Sequence, residues 1–129
     1  MSELIESSKL AVKHSQAKYS NFRVGAALLT EDQQIFTGCN IESSSYSLTI
    51  CAERVALVKA LSDGKTKFSS IAIFAEKAEF CSPCGACRQL LYDYAEDLDV
   101  ILTDGKKYKT YKIKDLLPVA FEESQLNRK

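Results

Sequence analysis

The sequence predicts an α/β fold, a three-layer α-β-α sandwich around a central five-stranded mixed sheet. Two observations carry this expectation. Segments with apolar residues at helical spacing are interleaved with short runs rich in Val, Ile, Leu and Phe, in the order helix, two strands, helix, strand, helix, two strands. No internal repeat, low-complexity stretch or linker interrupts that order, so residues 1–129 read as one domain.

Each element has its own signal. Leu4, Ile5, Ser8, Ala11, Val12 and Ser15 share one face of a helix over residues 3–17, which the stretch from Lys18 to Phe22 ends. Val24 to Leu29 and Gln34 to Cys39 form a hairpin around the polar link Thr30-Glu31-Asp32-Gln33. A Ser-rich loop runs from Glu42 to Ser47. Thr49 is the expected cap of a helix from Ile50 to Leu61, and Ser62-Asp63-Gly64 stops it. Ser70 to Ala75 reads as a buried strand. Ser82 and Pro83 open the next helix, with proline at the first helical position, where its missing N–H costs nothing, and this helix runs to about Ala95. Asp99 to Thr103 and Lys107 to Ile113 are strands joined by a turn at Asp104-Gly105, followed by a short helix from Lys114 to Leu117. From about Ser124 the chain is polar and read as a loosely held tail.

Composition narrows the function. Hydrophobic residues make up 46% and charged residues 26%, as in ordinary globular proteins. The 17 basic and 17 acidic residues cancel, which leaves no positive field for nucleic acid or an anionic membrane and favours a small neutral ligand. The amino-terminal residues lack the basic region and apolar core of a signal peptide, and no stretch is apolar enough to span a bilayer. A cytoplasmic location is therefore expected, where thiols stay reduced. Five cysteines in that setting suggest metal binding or catalysis before disulfides.

Two fragments carry the chemistry: Cys51-Ala52-Glu53-Arg54 and Ser82-Pro83-Cys84-Gly85-Ala86-Cys87. Cys84 and Cys87, three apart on a helix, can pinch one ion, and Cys51 supplies a third thiolate. Three protein ligands leave the fourth tetrahedral position open to water, the arrangement of catalytic zinc. Cys51 and Cys84 sit at expected helix starts, where the helix dipole favours the thiolate. Arg54 and Arg88 are candidates to offset the excess negative charge by donating to sulfur. Glu53 is read as a carboxylate that does not ligate the metal but moves protons for the water on it. A ligand-x-Glu followed by Pro-Cys-x-x-Cys is the signature of zinc deaminases.

A purely structural zinc is disfavoured by the presence of three ligands and Glu53. Cys81 extends the motif to Cys-x-x-Cys-x-x-Cys and raises an iron–sulfur reading, but Pro83 should keep Cys81 off the face shared by Cys84 and Cys87. Cys39 reads as a small buried apolar residue and His14 as a surface residue. Taken alone, Asn40 and Glu42 read as turn and surface residues, Phe22 as core, and Phe121 as packing for the C-terminal segment.

The sequence resembles the small, homotetrameric, zinc-dependent cytidine deaminases of the three-cysteine type. The likeness spans nearly the whole chain: Phe22 to Leu28, Gly38 to Glu42, Tyr46 to Arg54, Ser82 to Gln89, and Leu116 to Phe121, in the family order and spacing. It implies one Zn²⁺ per chain and hydrolysis of free cytidine and deoxycytidine to uridine and deoxyuridine with release of ammonia. It also implies that Asn40 and Glu42 bind the ribose, that Phe22 packs on the nucleoside, and that backbone groups near Ala52 and Cys84 read the cytosine edge with Glu53. A homotetramer with shared active sites is implied too, with Phe121 reaching a neighbour's substrate and Tyr46 contributing across the same boundary. Cys81 and Val119 depart from the pattern, and so does the short, basic tail. A blasticidin-S-type deaminase should lack the Asn40-x-Glu42 pair. A polynucleotide deaminase should add basic and aromatic groove residues, and a non-enzymatic zinc module would not release ammonia.

Overall fold

Alternation at period two builds the sheet. The computed structural model describes residues 2–126. Its elements are α1 (Ser2–Ala11), β1 (Val24–Thr30), β2 (Ile35–Cys39), α2 (Ala52–Ser62), β3 (Phe68–Ala75), α3 (Gly85–Tyr94), β4 (Asp99–Thr103), β5 (Tyr108–Lys112) and α4 (Ile113–Leu116). The five strands lie in the order β2-β1-β3-β4-β5, with β3 and β4 parallel and every other pair antiparallel.

Ala26, Leu28, Ile71, Ile73, Val100 and Leu102 point to one face and are buried against Ala56, Leu57 and Ala60 of α2, Leu91 of α3 and Ile113 of α4. Ala27, Ala72 and Ile101, one residue out of phase, point to the other face and meet Leu4 and Ile5 of α1. Helices therefore cover both faces, and the expected three-layer arrangement is observed. Among the described residues no helix is long and apolar enough to cross a membrane.

Two glycines set how closely the layers approach. A Cβ at Gly25 would collide with the Ser8 carbonyl of α1, and one at Gly38 with the Ala52 carbonyl and Ala56 nitrogen of α2. At both points a helix backbone rests directly on a strand backbone.

Tertiary hydrogen bonds move several element boundaries from where local pattern puts them. The first helix stops at Ala11 and tightens into a 3-10 turn over Val12–His14 instead of continuing to residue 17. Gln16 is drawn into a bridge with Ile41, accepting from Glu42 N at 3.0 Å and donating to Asn40 O at 2.9 Å. The second helix is capped by Cys51, not Thr49, because Ile41 and Ile50 exchange two backbone bonds of 2.9 Å that hold Ile50 extended. The Thr49 hydroxyl instead accepts from Ser43 N at 3.1 Å. The third helix begins after Cys84, so buried Pro83 lies ahead of it and not in its first turn. Ile113 leaves β5 to open α4, burying its side chain completely. Glu123–Leu126, read from sequence as tail, form a 3-10 turn, and the rest of that tail, residues 127–129, lies outside the described residues.

Gly38→Ala should destabilise the fold by about 1–3 kcal/mol through overpacking against the α2 backbone. A thermal melt should show its midpoint lowered by about 4–12 °C. An unchanged midpoint would mean that α2 can lift off the strand freely.

Candidate active site

The site forms where chain direction brings several ends together. β1 runs antiparallel to both β2 and β3, so its start lies beside their ends: Gly25 pairs with Cys39 and Val24 with Ala75. The chain leaves β2 through Asn40 and Glu42, returns to begin α2, and later leaves β3 to begin α3. Two helix N-termini thus face one edge of the sheet.

Cys51 and Cys84 are the N-caps of these helices. Both have extended backbones, at φ −72°, ψ 153° and φ −69°, ψ 166°, and neither uses its side chain to cap the helix. Their carbonyls accept the first helical bonds, from Val55 at 3.1 Å and Arg88 at 2.9 Å, while the sulfurs stay free. Cys87, one turn into α3, is fully buried. The Cys51 and Cys84 sulfurs lie 3.9 Å apart, those of Cys84 and Cys87 3.4 Å, and all three within 4.8 Å of one another. Zinc–sulfur bonds of about 2.3 Å arranged tetrahedrally need sulfurs about 3.8 Å apart, so the donor set fits one such ion. Cys81 is not part of this group.

Hydrogen bonding between the sulfurs of Cys51 and Cys87 splits their proton affinities. The Cys51 thiol is lowered to about 6, chiefly by the hydrogen bond from Cys87, with Cys84 and the Arg54 charge adding to it. Cys87 is pushed up by the same bond and by burial. Arg54 donates from Nη2 to Thr49 O at 2.8 Å, and its buried Nε has no hydrogen-bond partner among the described residues. Arg88 donates from Nε to Pro83 O and from Nη1 to Leu116 O, both at 2.8 Å, so these two donors hold backbone segments and not sulfur.

Glu53, in the first turn of α2, is 5% exposed. Burial raises its carboxyl to about 7, with the nearby Cys51 charge acting in the same direction. It borders a cleft of about 480 Å³ together with Phe22, Asn40, Glu42, Cys51, Ala52 and Cys84. The cleft therefore collects most of the residues singled out from sequence. Tyr46 instead lines an adjoining hollow of about 290 Å³ with Tyr19, Ser20, Glu42 and Thr49. Phe121 lies apart, beside Asp93, Tyr94 and Leu126.

The polar groups at the cleft mouth are pre-set by internal bonds. Asn40 Oδ1 accepts from Val24 N at 3.0 Å and from the Ser15 hydroxyl, and Nδ2 donates to Phe22 O at 2.8 Å. Asn40 keeps one N–H for a ligand. Glu42 Oε1 accepts from Tyr19 N and Ser20 N, both at 2.9 Å, and Oε2 from the Ser20 hydroxyl. Those bonds, the Ser20 hydroxyl first, hold the Glu42 carboxyl below its ordinary value. Ser20, Val24, Thr49, Cys81 and Ser82 also line the cleft. Val24, Thr49, Cys81 and Ser82 lie in or beside the segments that the motifs mark, whereas Ser20 arrives only through its tertiary bond to Glu42.

Comparison with known proteins adds an independent line. Residues 1–102 match the family model described as the cytidine and deoxycytidylate deaminase zinc-binding region. A cytidine deaminase of Sporosarcina psychrophila is 45% identical over 97% of this chain and 93% of its own length. A probable cytidine deaminase of Dictyostelium discoideum is 41% identical over 98% of this chain and 86% of its own. The crystal structure of cytidine deaminase from Burkholderia pseudomallei superposes with a TM-score of 0.88 at 45% identity, covering 92% of this chain and 97% of that one.

Burial of Glu53 has a consequence for stability without metal. Its carboxyl holds a proton more tightly folded than unfolded, so its contribution is complete below its ordinary value of 4.5 and is lost as pH rises through about 7. Chelator-treated protein should lose on the order of 3 kcal/mol from this group across that window. Glu53→Gln should flatten the profile, as denaturant unfolding at a series of pH values would show. A wild-type profile retained in the variant would assign the dependence to the thiols instead.

Proposed function

The chain belongs to the cytidine and deoxycytidylate deaminase family, and from that premise we propose that it hydrolyses free cytidine and deoxycytidine to uridine and deoxyuridine, releasing ammonia. The observation that carries this reading is that Cys51, Cys84 and Glu53 line a single cleft of about 480 Å³, with the buried Cys87 sulfur within 4.8 Å of the other two. Cys51, Cys84 and Cys87 hold one zinc per chain. Zinc at such a site acts as a Lewis acid and brings the pKa of a coordinated water toward neutrality.

The chain's own groups do the rest. Glu53 takes the proton of the attacking water and passes it to the departing amine. A carboxyl whose hold on its proton is strengthened by burial is suited to both directions of transfer. Arg54 moderates the charge of the thiolates from beside Cys51. The remaining Asn40 N–H and the free lone pair of Glu42 Oε2 form a donor–acceptor pair for the ribose hydroxyls. Phe22 offers an apolar wall for the nucleoside, and backbone groups at Ala52 and Cys84 read the polar edge of the base. An ionised Glu42 at the mouth disfavours a phosphorylated sugar, so cytidine monophosphate should be a poor substrate.

We further propose a homotetramer with shared sites. Tyr46 is 79%, Leu48 66% and Phe121 52% exposed, an amount of apolar surface that a second chain would cover. Phe121 then stacks on the base in a neighbouring chain's cleft, with Tyr46 at the same boundary.

An ultraviolet assay on cytidine, with and without chelator, tests the reaction. Ala at Cys51, Cys84 or Cys87 should remove zinc, whereas Ala at Cys81 or Cys39 should retain it. Glu53→Gln should keep zinc and lose ~10²–10⁴-fold or more in turnover. Iron in the metal analysis, near-normal turnover in the Glu53 variant, or faster deamination of single-stranded DNA than of cytidine would each overturn the reading.

Phe121→Ala should weaken cytidine binding by about ten- to a hundredfold with zinc still bound. Mixed tetramers of inactive Glu53→Gln chains and weakly binding Phe121→Ala chains should regain activity at low cytidine, because one site can draw Glu53 and Phe121 from different chains. A monomer by sedimentation, or no recovery in verified mixed tetramers, would count against shared sites.

A further inference from the structure

The C-terminal segment that carries Phe121 has little holding it from within. From residue 117 to 122 it forms no helix or strand, Val119 is fully exposed at φ 51°, and the Phe121 ring is half-exposed. Its hold on the fold comes from three successive ties to α3. Arg88 Nη1 donates to Leu116 O at 2.8 Å, at the root of the segment. Gln89 Nε2 donates to Phe121 O at 3.0 Å, fixing the backbone of the aromatic residue itself. Tyr92 Oη donates to Glu122 Oε1 at 2.6 Å, just beyond it.

Residues 88, 89 and 92 lie close together on α3, and α3 is the helix whose start carries Cys84 and Cys87. Arg88 also grips Pro83 O, immediately before Cys84. One rigid element thus sets both the metal thiols and the bearing of the exposed aromatic. A free segment would have to be ordered each time Phe121 engaged a base, and that entropy would be subtracted from the stacking.

We propose that Gln89 and Tyr92 are positioning residues for catalysis, a clasp that pre-orders Phe121 for the nucleoside. The inference rests on the assignment of Phe121 made above. The clasp acts on binding and not on proton transfer, so it changes KM while leaving kcat alone.

Two near-isosteric substitutions test it in the intact zinc enzyme. Gln89→Met removes the Nε2 donor to Phe121 O, and with it the bond to Asp93 Oδ1 at 3.0 Å, without adding charge, and Tyr92→Phe removes one oxygen. Each should raise KM for cytidine by about two- to tenfold, the range for loss of one hydrogen bond. Zinc content, kcat and sedimentation should be unchanged. In a Phe121→Ala background the same substitutions should add nothing, since the clasp would have no ring to position. Normal KM in both single variants, or an undiminished effect in the Phe121→Ala background, would overturn the clasp while leaving the Phe121 assignment standing. Normal KM in Phe121→Ala alone would overturn that assignment, and the clasp with it.

Discussion

The contact between α2 and β2 at Gly38 governs the height at which Cys51 and Glu53 stand. Any side chain there would push against the Ala52 carbonyl and the Ala56 nitrogen, so the first turn of α2 rests on bare strand backbone. Cys51 and Glu53 flank Ala52 in the chain and inherit its position. Ala52, Ala56 and Ala60 carry the same logic along the helix, since each is fully buried and small. A thicker contact would lift Glu53 away from the strand ends and open its carboxyl to water. The raised affinity of Glu53 for its proton, caused first by burial, is therefore a consequence of backbone packing.

The second constraint is topological. Placing β1 antiparallel between β2 and β3 turns the start of one strand and the ends of two others toward the same edge. The two helices that follow β2 and β3 begin there, and the N-termini of α2 and α3 converge. A helix start is an electropositive place, and here each is capped by a cysteine whose sulfur makes no capping bond. Convergence of two dipoles on three sulfurs favours negative charge there, and the Arg54 charge adds to it at Cys51.

Much of this was legible in the sequence, and the misses have definite causes. Element order and the two-face alternation follow from side-chain period, which a single sequence carries in full. The three sulfurs come together as spacing suggested, because Cys84 and Cys87 share a helix turn and Cys51 opens the neighbouring helix. Helix starts were misplaced by one or two residues wherever a tertiary bond competed with a local cap. At Thr49 the competitor was the Ile41–Ile50 bridge. The first helix yielded Gln16 to a bridge with Ile41. The internal bonds of Asn40 and Glu42 were also invisible, since they tie residues 16 to 25 positions apart to loops without periodicity. For Arg88 the sequence suggested sulfur as partner, whereas its Nε and Nη1 reach Pro83 and Leu116 carbonyls. A guanidinium has five donors and long reach, so sequence position alone does not choose its acceptors.

The bonding of Asn40 and Glu42 bears on how a small cleft recognises a neutral ligand. A donor and an acceptor that must first be ordered by the ligand give up part of the binding energy in doing so. In this chain both side chains are already fixed, Asn40 by bonds to Ser15, Phe22 and Val24, Glu42 by bonds to Tyr19 and Ser20. The same bonds tie the loop of residues 15–22 to the end of β2, which holds Phe22 at the cleft. Removing the Asn40 amide would therefore do two things at once: delete a polar group at the mouth and release the strand entrance carrying the apolar wall. If Asn40 holds the ribose as proposed, its loss should cost nucleoside binding more than one hydrogen bond, because the side chain is also a structural brace.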